Sequence, residues 1–264
     1  MLTLSFRQSF ILNQVVDTFI ETGHPVSSKA VACASPSPIS SATIRYEMGA
    51  LEETGYLVQS HHSSGRIPTD RGYRHYLDYG IPVYEASREP FQRLSEHFIA
   101  RFKTVEEKQP FAEEFALVLS ELSQQLGVLV VPDSDADESH KESFQMTAKG
   151  LSYFLDKPEC QDLSTLRPLV AVIEERQTLK RWISEHAAGV HPLVFVGTEH
   201  EFEELEDYAI VTACFDSGED EPAGALAVIG LKRMAYAKVL PIVTEMAQLM
   251  GSTFRAMRQS DNHS

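Results

Sequence analysis

The chain has 264 residues, of which 43% are hydrophobic and 23% charged, and its formal net charge is −15. The length is sufficient for two domains with separate cores, and the composition is close to that of an average globular protein. No apolar run of about eighteen residues occurs, and MLTLSFRQSF lacks the features of a signal peptide, so we expect neither a membrane span nor secretion.

The negative charge is unevenly distributed along the chain. Residues 1–75 contain six Lys/Arg and six Asp/Glu, so residues 76–264 carry the whole negative excess. A surface that binds phosphates must gather positive charge locally. The N-terminal segment is therefore the part of the chain that is suited to nucleic acid.

The first 60 residues predict three helices. Apolar residues at three- and four-residue steps, beginning with Phe6, predict a helix over 5–22 that ends at Gly23. Ser27 or Ser28 caps a short helix over 28–34, and the tract SPSPIS is a turn because two prolines in three residues exclude a helix. A third helix, capped by Ser40 or Ser41, runs to residue 53 or 54.

The third helix has two different faces. Ile44, Met48 and Leu51 fall within a narrow arc and are expected to face the core. The opposite arc holds small residues around one Arg and one Tyr, a composition that suits close approach to the floor of a major groove rather than a solvated face. A strand over 56–59, a loop with Gly65 and a returning strand at 66–67 follow, so the order is that of a winged helix-turn-helix.

The rest of the chain predicts an α+β domain after a linker at 79–90. Helical periodicity occurs over 91–105 and 111–126, Gly127 is expected to end the second of these helices, and 128–131 reads as a buried strand. The acidic loop 133–142 lacks the Gly and Glu of a calcium loop. A helical stretch over 163–184, strands at 192–196, 209–215 and 225–229, and a closing helix over 235–257 complete the pattern.

Side chains that could contact DNA lie at the start of the second helix, on the exposed face of the third and in the wing. They are Ser27, Ser28, Lys29, Ser40, Ser41, Ala42, Thr43, Arg45, Tyr46, His61, His62, Ser63 and Arg66. Arg45 either reads a guanine edge, contacts a phosphate or pairs with Glu52. Tyr46 either reaches the DNA or packs against the preceding turn, and Arg66 either contacts DNA or pairs with Asp70.

Other chemistry is weakly indicated. Cys33, Cys160 and Cys214 are widely spaced and odd in number, which favours buried, reduced thiols in the cytoplasm over a disulfide frame or a zinc site. The neighbouring His61 and His62 cannot easily face one ion, so no metal site is predicted. No phosphate-binding Gly-rich loop, HExxH helix or GxSxG elbow occurs, so we expect no catalytic residue, no cofactor and no enzyme.

Six segments resemble the bacterial heat-inducible transcription repressors of the HrcA family. They are PVSSKAV (25–31), ISSATIRYEMGALEETGYL (39–57), HHSSGRIPTDRGYRHYLD (61–78), GLSYFLDKPEC (150–160), EELEDYAIVTACF (203–215) and AVIGLKRMAYAKVLPIV (227–243). The resemblance implies a winged helix-turn-helix domain over 1–78, a linker and connecting helix over 79–108, a GAF-like effector and dimerisation domain over 109–258, and a tail over 259–264.

The resemblance also implies a function. It predicts a homodimer that represses chaperone operons by occupying the inverted-repeat CIRCE operator on double-stranded DNA, with activity modulated by the GroEL chaperonin. Tyr46-Glu47 stand where the family usually has Asn-Asp, Ser60 and His62 replace a Pro and a Thr of the wing, and the middle of the chain is shortened. The dimer is therefore expected to use helices within 91–126 and 235–257.

Two other functions are compatible with the same pattern. A winged-helix regulator controlled by a small ligand in its GAF-like domain predicts saturable ligand binding that shifts operator affinity without any response to chaperonin. An interaction module with a vestigial N-terminal domain predicts only weak, sequence-independent DNA binding.

Overall fold

The computed structural model describes residues 4–34, 39–60, 65–81, 108–132, 144–160, 162–216 and 222–261. The N-terminal module, residues 4–81, combines helices with a short hairpin. Its elements are α1 (Phe6–Thr22), α2 (Ser28–Ala34), α3 (Ser41–Glu53), β1 (Leu57–Gln59), β2 (Arg66–Pro68) and α4 (Asp70–Tyr79). This order confirms the predicted winged helix-turn-helix.

The C-terminal module, residues 108–261, mixes helices with the strands of one sheet. Its helices are α5 (Lys108–Ser123), α6 (Ser152–Leu155), α7 (Leu163–Glu174), α8 (Arg176–His186) and α9 (Tyr236–Asp261). Its strands are β3 (Leu126–Pro132), β4 (Phe144–Lys149), β5 (Leu193–Val196), β6 (Tyr208–Asp216) and β7 (Pro222–Leu231). The predicted α+β class, with a mixed helix-and-sheet domain after the winged helix, is confirmed.

Local signals define α1. The Ser5 side chain accepts a hydrogen bond from the backbone N–H of Gln8, and the Gln8 side chain accepts one from the N–H of Ser5, which together form a capping box. The helix ends at Gly23, as predicted. Its buried residues are Ile11, Leu12, Val15 and Val16. Phe6, expected to begin the buried stripe, is 91% exposed because it lies in the first turn, before the first buried position.

The sheet of the C-terminal module is antiparallel and has the strand order β4-β3-β7-β6-β5. Successive residues of β6 point to opposite faces. Val211 and Phe215 join the core that contains α5 and α9, whereas Ile210 and Cys214 join the core that contains α7 and α8. Helices thus cover both faces, which explains why β6 reads as a continuous apolar run.

Several sequence predictions for this module need correction. Helix α5 ends at Ser123, where Gln124 takes a left-handed conformation with φ 56°, and Gly127 lies within β3. Strand β4 was not predicted, because its residues are mostly half-buried and show no clear alternation. The helical stretch over 163–184 is two helices that meet at Glu175.

The burial of the cysteines and of α9 bears on two further predictions. Cys160 and Cys214 are buried as expected, but Cys33 is exposed. The apolar stripe of α9, including Val243 and Met246, is buried in the core of the chain itself, so a dimer contact through α9 must use its outer face. The helix predicted over 91–105 and the acidic loop 133–142 lie outside the described residues.

Candidate nucleic-acid interface

Helix α3 presents a fixed outer face to solvent. The Ser40 hydroxyl accepts a hydrogen bond from the Thr43 N–H at 3.1 Å and so caps the helix. Ile44, Met48 and Leu51 are buried, which orients α3 against the rest of the N-terminal module. The opposite face, with Ala42 and Arg45, is exposed. This division is the one that the sequence predicted.

Tyr46 projects from the same face. Its side chain is 76% exposed, so it does not pack against the preceding turn, and that alternative is wrong. An exposed tyrosine on the outer face of such a helix can donate a hydrogen bond to a phosphate or a base edge.

A cleft joins the three predicted groups of site residues. Its volume is about 340 Å³, and it is lined by Ser27, Ser28, Lys29, Arg45, Met48, Gln59 and Arg66. The loop before α2 pairs with β2 through two hydrogen bonds of 2.9 Å between Val26 and Arg66, which brings the start of α2 against the hairpin. Residues that are 39 positions apart in the sequence, such as Ser27 and Arg66, therefore border one opening.

The serines of the cleft have structural partners. The Ser27 hydroxyl accepts the Ala30 N–H at 3.2 Å, as a helix cap does. The Ser28 hydroxyl lies 3.1 Å from that of Ser41, and Ser28 is buried. Ser28 and Ser41 thus link α2 to α3, which fixes the angle between the two helices of the motif.

The basic side chains of the cleft differ in their availability. Lys29 and Arg45 are exposed and form no ion pair with any residue that the structure describes. Arg66 donates from Nε and Nη2 to the same Glu52 carboxylate oxygen, at 2.8 Å each. The predicted alternatives that paired Arg45 with Glu52, or Arg66 with Asp70, are therefore wrong.

Three further observations complete the site. His61, His62 and Ser63, predicted in the wing, lie outside the described residues. Gln59 was missed, although it is the last residue of β1 and directly precedes the wing. Arg71 was also missed: its guanidinium stacks on Tyr56 at 4.3 Å and donates to the Thr54 carbonyl at 2.7 Å, at the end of α3.

Neither a metal centre nor a membrane span emerges from the part of the chain that is described. Its His, Cys, Asp and Glu side chains form no group of three or more with metal-binding geometry. None of its helices has both the length and the apolar content that crossing a membrane requires.

A winged helix-turn-helix with an exposed, basic reading face, followed by an α+β domain, defines a DNA-binding transcription regulator. Residues 134–240 match the family model described as HrcA protein C terminal domain. A heat-inducible transcription repressor HrcA from Oceanobacillus iheyensis is 25% identical over 344 positions, which cover 98% of this chain and 100% of that protein. The chain is therefore similar to HrcA repressors over nearly its whole length, and its C-terminal part matches the model of their C-terminal domain.

Other comparisons agree with this similarity. The heat-inducible transcription repressor HrcA of Geobacter sulfurreducens is 25% identical over 341 positions, covering 95% of this chain and 98% of that protein. A crystal structure described as that of a hypothetical protein has a TM-score of 0.74 and 19% identity, covering 96% of this chain and 98% of that chain, and so shares the fold. Because the first alignment has 344 positions and this chain 264 residues, at least 80 positions of the alignment have no residue of this chain.

Proposed function

We propose that this chain is a cytoplasmic, dimeric repressor of chaperone operons that binds a CIRCE-type inverted-repeat operator, and that GroEL modulates its DNA binding. The observation that carries the DNA-binding part is the cleft in which Lys29, Arg45 and Arg66 converge beside the outer face of α3. The names of the relatives support heat-controlled repression. The resemblance of the six segments supports the operator, the dimer and the chaperonin.

The proposed roles follow from exposure and chemistry. Arg45 reads a base edge, because an exposed guanidinium free of ion pairs with the described residues can bond a guanine in two places. Lys29 and the backbone around Ser27 contact phosphates and set the register. Arg66 contacts the backbone from the wing side while Glu52 holds its guanidinium in place. Ala42, Thr43 and Tyr46 complete the surface, and His61, His62 and Ser63, which lie outside the described residues, are proposed as further DNA contacts.

The proposed domains are the winged helix over 1–78, the linker and connecting helix over 79–108, the effector and dimerisation domain over 109–258 and the tail over 259–264. The negative excess of residues 76–264 supports this division. Phosphates repel a surface with that charge, so the chain approaches DNA with its N-terminal module first. Two winged helices of a dimer then occupy half-sites about one helical turn apart, roughly 34–36 Å, or a multiple of it.

The function is tested by footprinting on DNA from a chaperonin promoter, with a scrambled duplex of the same composition as the control. We expect protection of an inverted repeat by the wild-type chain and stronger protection when GroEL is added. Protection that is equal on the scrambled duplex would contradict operator binding. Specific protection that GroEL leaves unchanged would contradict the chaperonin part alone.

A ligand-controlled regulator is the second candidate, and one observation favours it. A cavity of about 410 Å³ opens between α5, β4 and α8, with Arg176, Gln177 and Lys180 among its lining residues. That volume lies in the range of small-molecule sites, and the lining carries two cations, Arg176 and Lys180, beside the Glu113 carboxylate. The footprint with GroEL distinguishes the candidates, since ligand control predicts no response to chaperonin.

A further inference from the structure

Helix α4 belongs to the N-terminal module, and the carboxylate of its first residue contacts the C-terminal module. Asp70, the first residue of α4, accepts a hydrogen bond from Lys232 Nζ at 2.7 Å through Oδ1. Its other oxygen, Oδ2, accepts the Thr198 N–H at 3.1 Å and lies 3.3 Å from the Thr198 hydroxyl. Three donors of the C-terminal module thus converge on one side chain of the N-terminal module.

The backbone around Thr198 is shaped to receive that carboxylate. Gly197 has φ 54°, and a Cβ at this position would lie 2.3 Å from Asp70 Oδ2. Only glycine permits both this conformation and this approach. The contact between Asp70 and residues 197–198 therefore depends on backbone as well as side chains.

Two neighbouring residues of α4 extend the contact. Tyr73 packs on Tyr236 with ring centroids 6.2 Å apart, and both rings are buried. Arg74 forms an ion pair with Glu199, in which Nε donates to Oε1 at 2.8 Å, and it also donates to the Val194 carbonyl at 2.5 Å. We call Asp70, Tyr73, Arg74 and these C-terminal partners the α4 joint.

A second contact lies at the end of α1. Arg233 is paired with Glu159, whose Oε2 accepts Nη2 at 2.7 Å, and the same guanidinium lies 3.4 Å from the Ile20 carbonyl. The N-terminal module is therefore held at two separate places, which opposes rotation about either one.

Helix α4 and its cap are also hydrogen-bonded to the C-terminal end of α3. The Thr69 hydroxyl caps α4 by accepting the Gly72 N–H and lies 2.7 Å from the Gly55 carbonyl, immediately after α3. Arg71 donates to the Thr54 carbonyl at the same helix end. An orientation imposed on α4 by the C-terminal module is thus transmitted to α3 through short, direct bonds.

We propose that the α4 joint fixes the orientation of α3 relative to the C-terminal module and thereby sets the half-site spacing that the dimer accepts. Asp70 and Lys232 act as positioning residues. The inference rests on the proposed binding of an inverted repeat by a dimer. A rigid joint favours two half-sites on the same face of the duplex, whereas a loose joint lets either winged helix turn to reach a half-site on the other face.

The test compares Lys232→Met with Lys232→Arg, which keeps the charge, and with Lys238→Met, which changes an exposed lysine of α9 that forms no ion pair with the described residues. Affinity is measured on a single half-site, on the operator, and on operators lengthened by about 5 and about 10 base pairs, or half and one helical turn. Asp70→Asn provides an independent variant on the other side of the joint.

We expect the wild type, Lys232→Arg and Lys238→Met to lose about tenfold or more in affinity at the half-turn insertion and to regain part of it at the full turn. Lys232→Met and Asp70→Asn should keep the half-site affinity of the wild type but lose less than about threefold at the half-turn insertion. Unchanged spacer discrimination in both variants would overturn the proposal, as would an equal loss on the half-site, which indicates a purely structural role. A wild type that does not distinguish the operator from scrambled DNA would overturn the proposed function instead.

Discussion

Arg45 and Arg66 border the same cleft, but they differ in exposure and in ion pairing. Arg45 is exposed and forms no ion pair with the described residues, whereas the Arg66 side chain is 18% exposed and its charge is balanced by Glu52. A guanidinium held by a carboxylate loses part of its attraction for phosphate, and a free one is available for bidentate contact with a base. We therefore propose base recognition for Arg45 rather than for Arg66.

Substitutions of Arg45 and Lys29 should distinguish recognition of a base from contact with phosphates. We expect Arg45→Ala to cost roughly 1–3 kcal/mol and to relax discrimination at one base step. Lys29→Ala should weaken binding to all sequences similarly and reduce the slope of log affinity against log salt by about one. Titrations on the operator and on single-base variants at several salt concentrations measure both effects. Identical behaviour of the two variants would contradict the assigned roles.

Two helical glycines provide a matched test of local packing. A Cβ at Gly72 in α4 would lie 2.3 Å from the Tyr56 carbonyl oxygen, whereas a Cβ at Gly49 in α3 meets nothing within 4 Å among the described residues. Gly72→Ala should destabilise the protein by roughly 1–3 kcal/mol through overpacking. Gly49→Ala should stabilise it by roughly 0.5–1 kcal/mol, because alanine is the better helix former. Urea unfolding of both variants checks the opposite signs.

At the scale of elements, α3 depends on its N-terminal cap. Ser40→Ala removes the acceptor for the Thr43 N–H and should lower the free energy of unfolding by about 0.5–2 kcal/mol. Ser252→Ala in α9 is the control, because among the described residues the Ser252 hydroxyl bonds the Leu249 carbonyl of its own helix and caps no helix end. Equal losses in the two variants would show that the cap contributes nothing specific.

Elements with strong local signals were predicted best. The bounds of α2 agree with the prediction, and α3 begins at its predicted cap, because serine caps, glycine ends and helical spacing act over a few residues. Strand β4 escaped prediction because its place at the edge of the sheet depends on pairing with β3, which no local pattern encodes. The end of α5 was misplaced since Gln124, not a glycine, takes the left-handed conformation.

At the scale of the whole molecule, a buried histidine makes the free energy of unfolding depend on pH. His200 is 6% exposed, and its Nδ1 has no hydrogen-bond partner among the described residues. Burial lowers its pKa below the usual 6.5, although the Tyr208 carbonyl near Nε2 acts in the opposite direction. The unfolded chain therefore takes up this proton more readily than the folded chain does.

The sign of the pH effect follows from that difference. The contribution of His200 to stability is present above about pH 6.5 and is lost as the pH falls from 6.5 through the folded pKa. We expect the urea midpoint to fall between pH 7.5 and pH 5.5, and to fall less in His200→Gln. His75, whose pKa is also lowered by burial, accounts for part of the remaining slope. A variant with the full wild-type slope would contradict the role of His200.

The sequence by itself determined the helices of the N-terminal module, the outward face of α3 and the resemblance to HrcA repressors, because caps, periodicity and motifs are local properties of the chain. Only the tertiary structure decided which charges meet. Arg66 pairs with Glu52 rather than Asp70, and Asp70 instead pairs with Lys232, which is 162 residues away. Such contacts depend on how two modules pack, and packing is set by the sum of many weak interactions that no single segment carries.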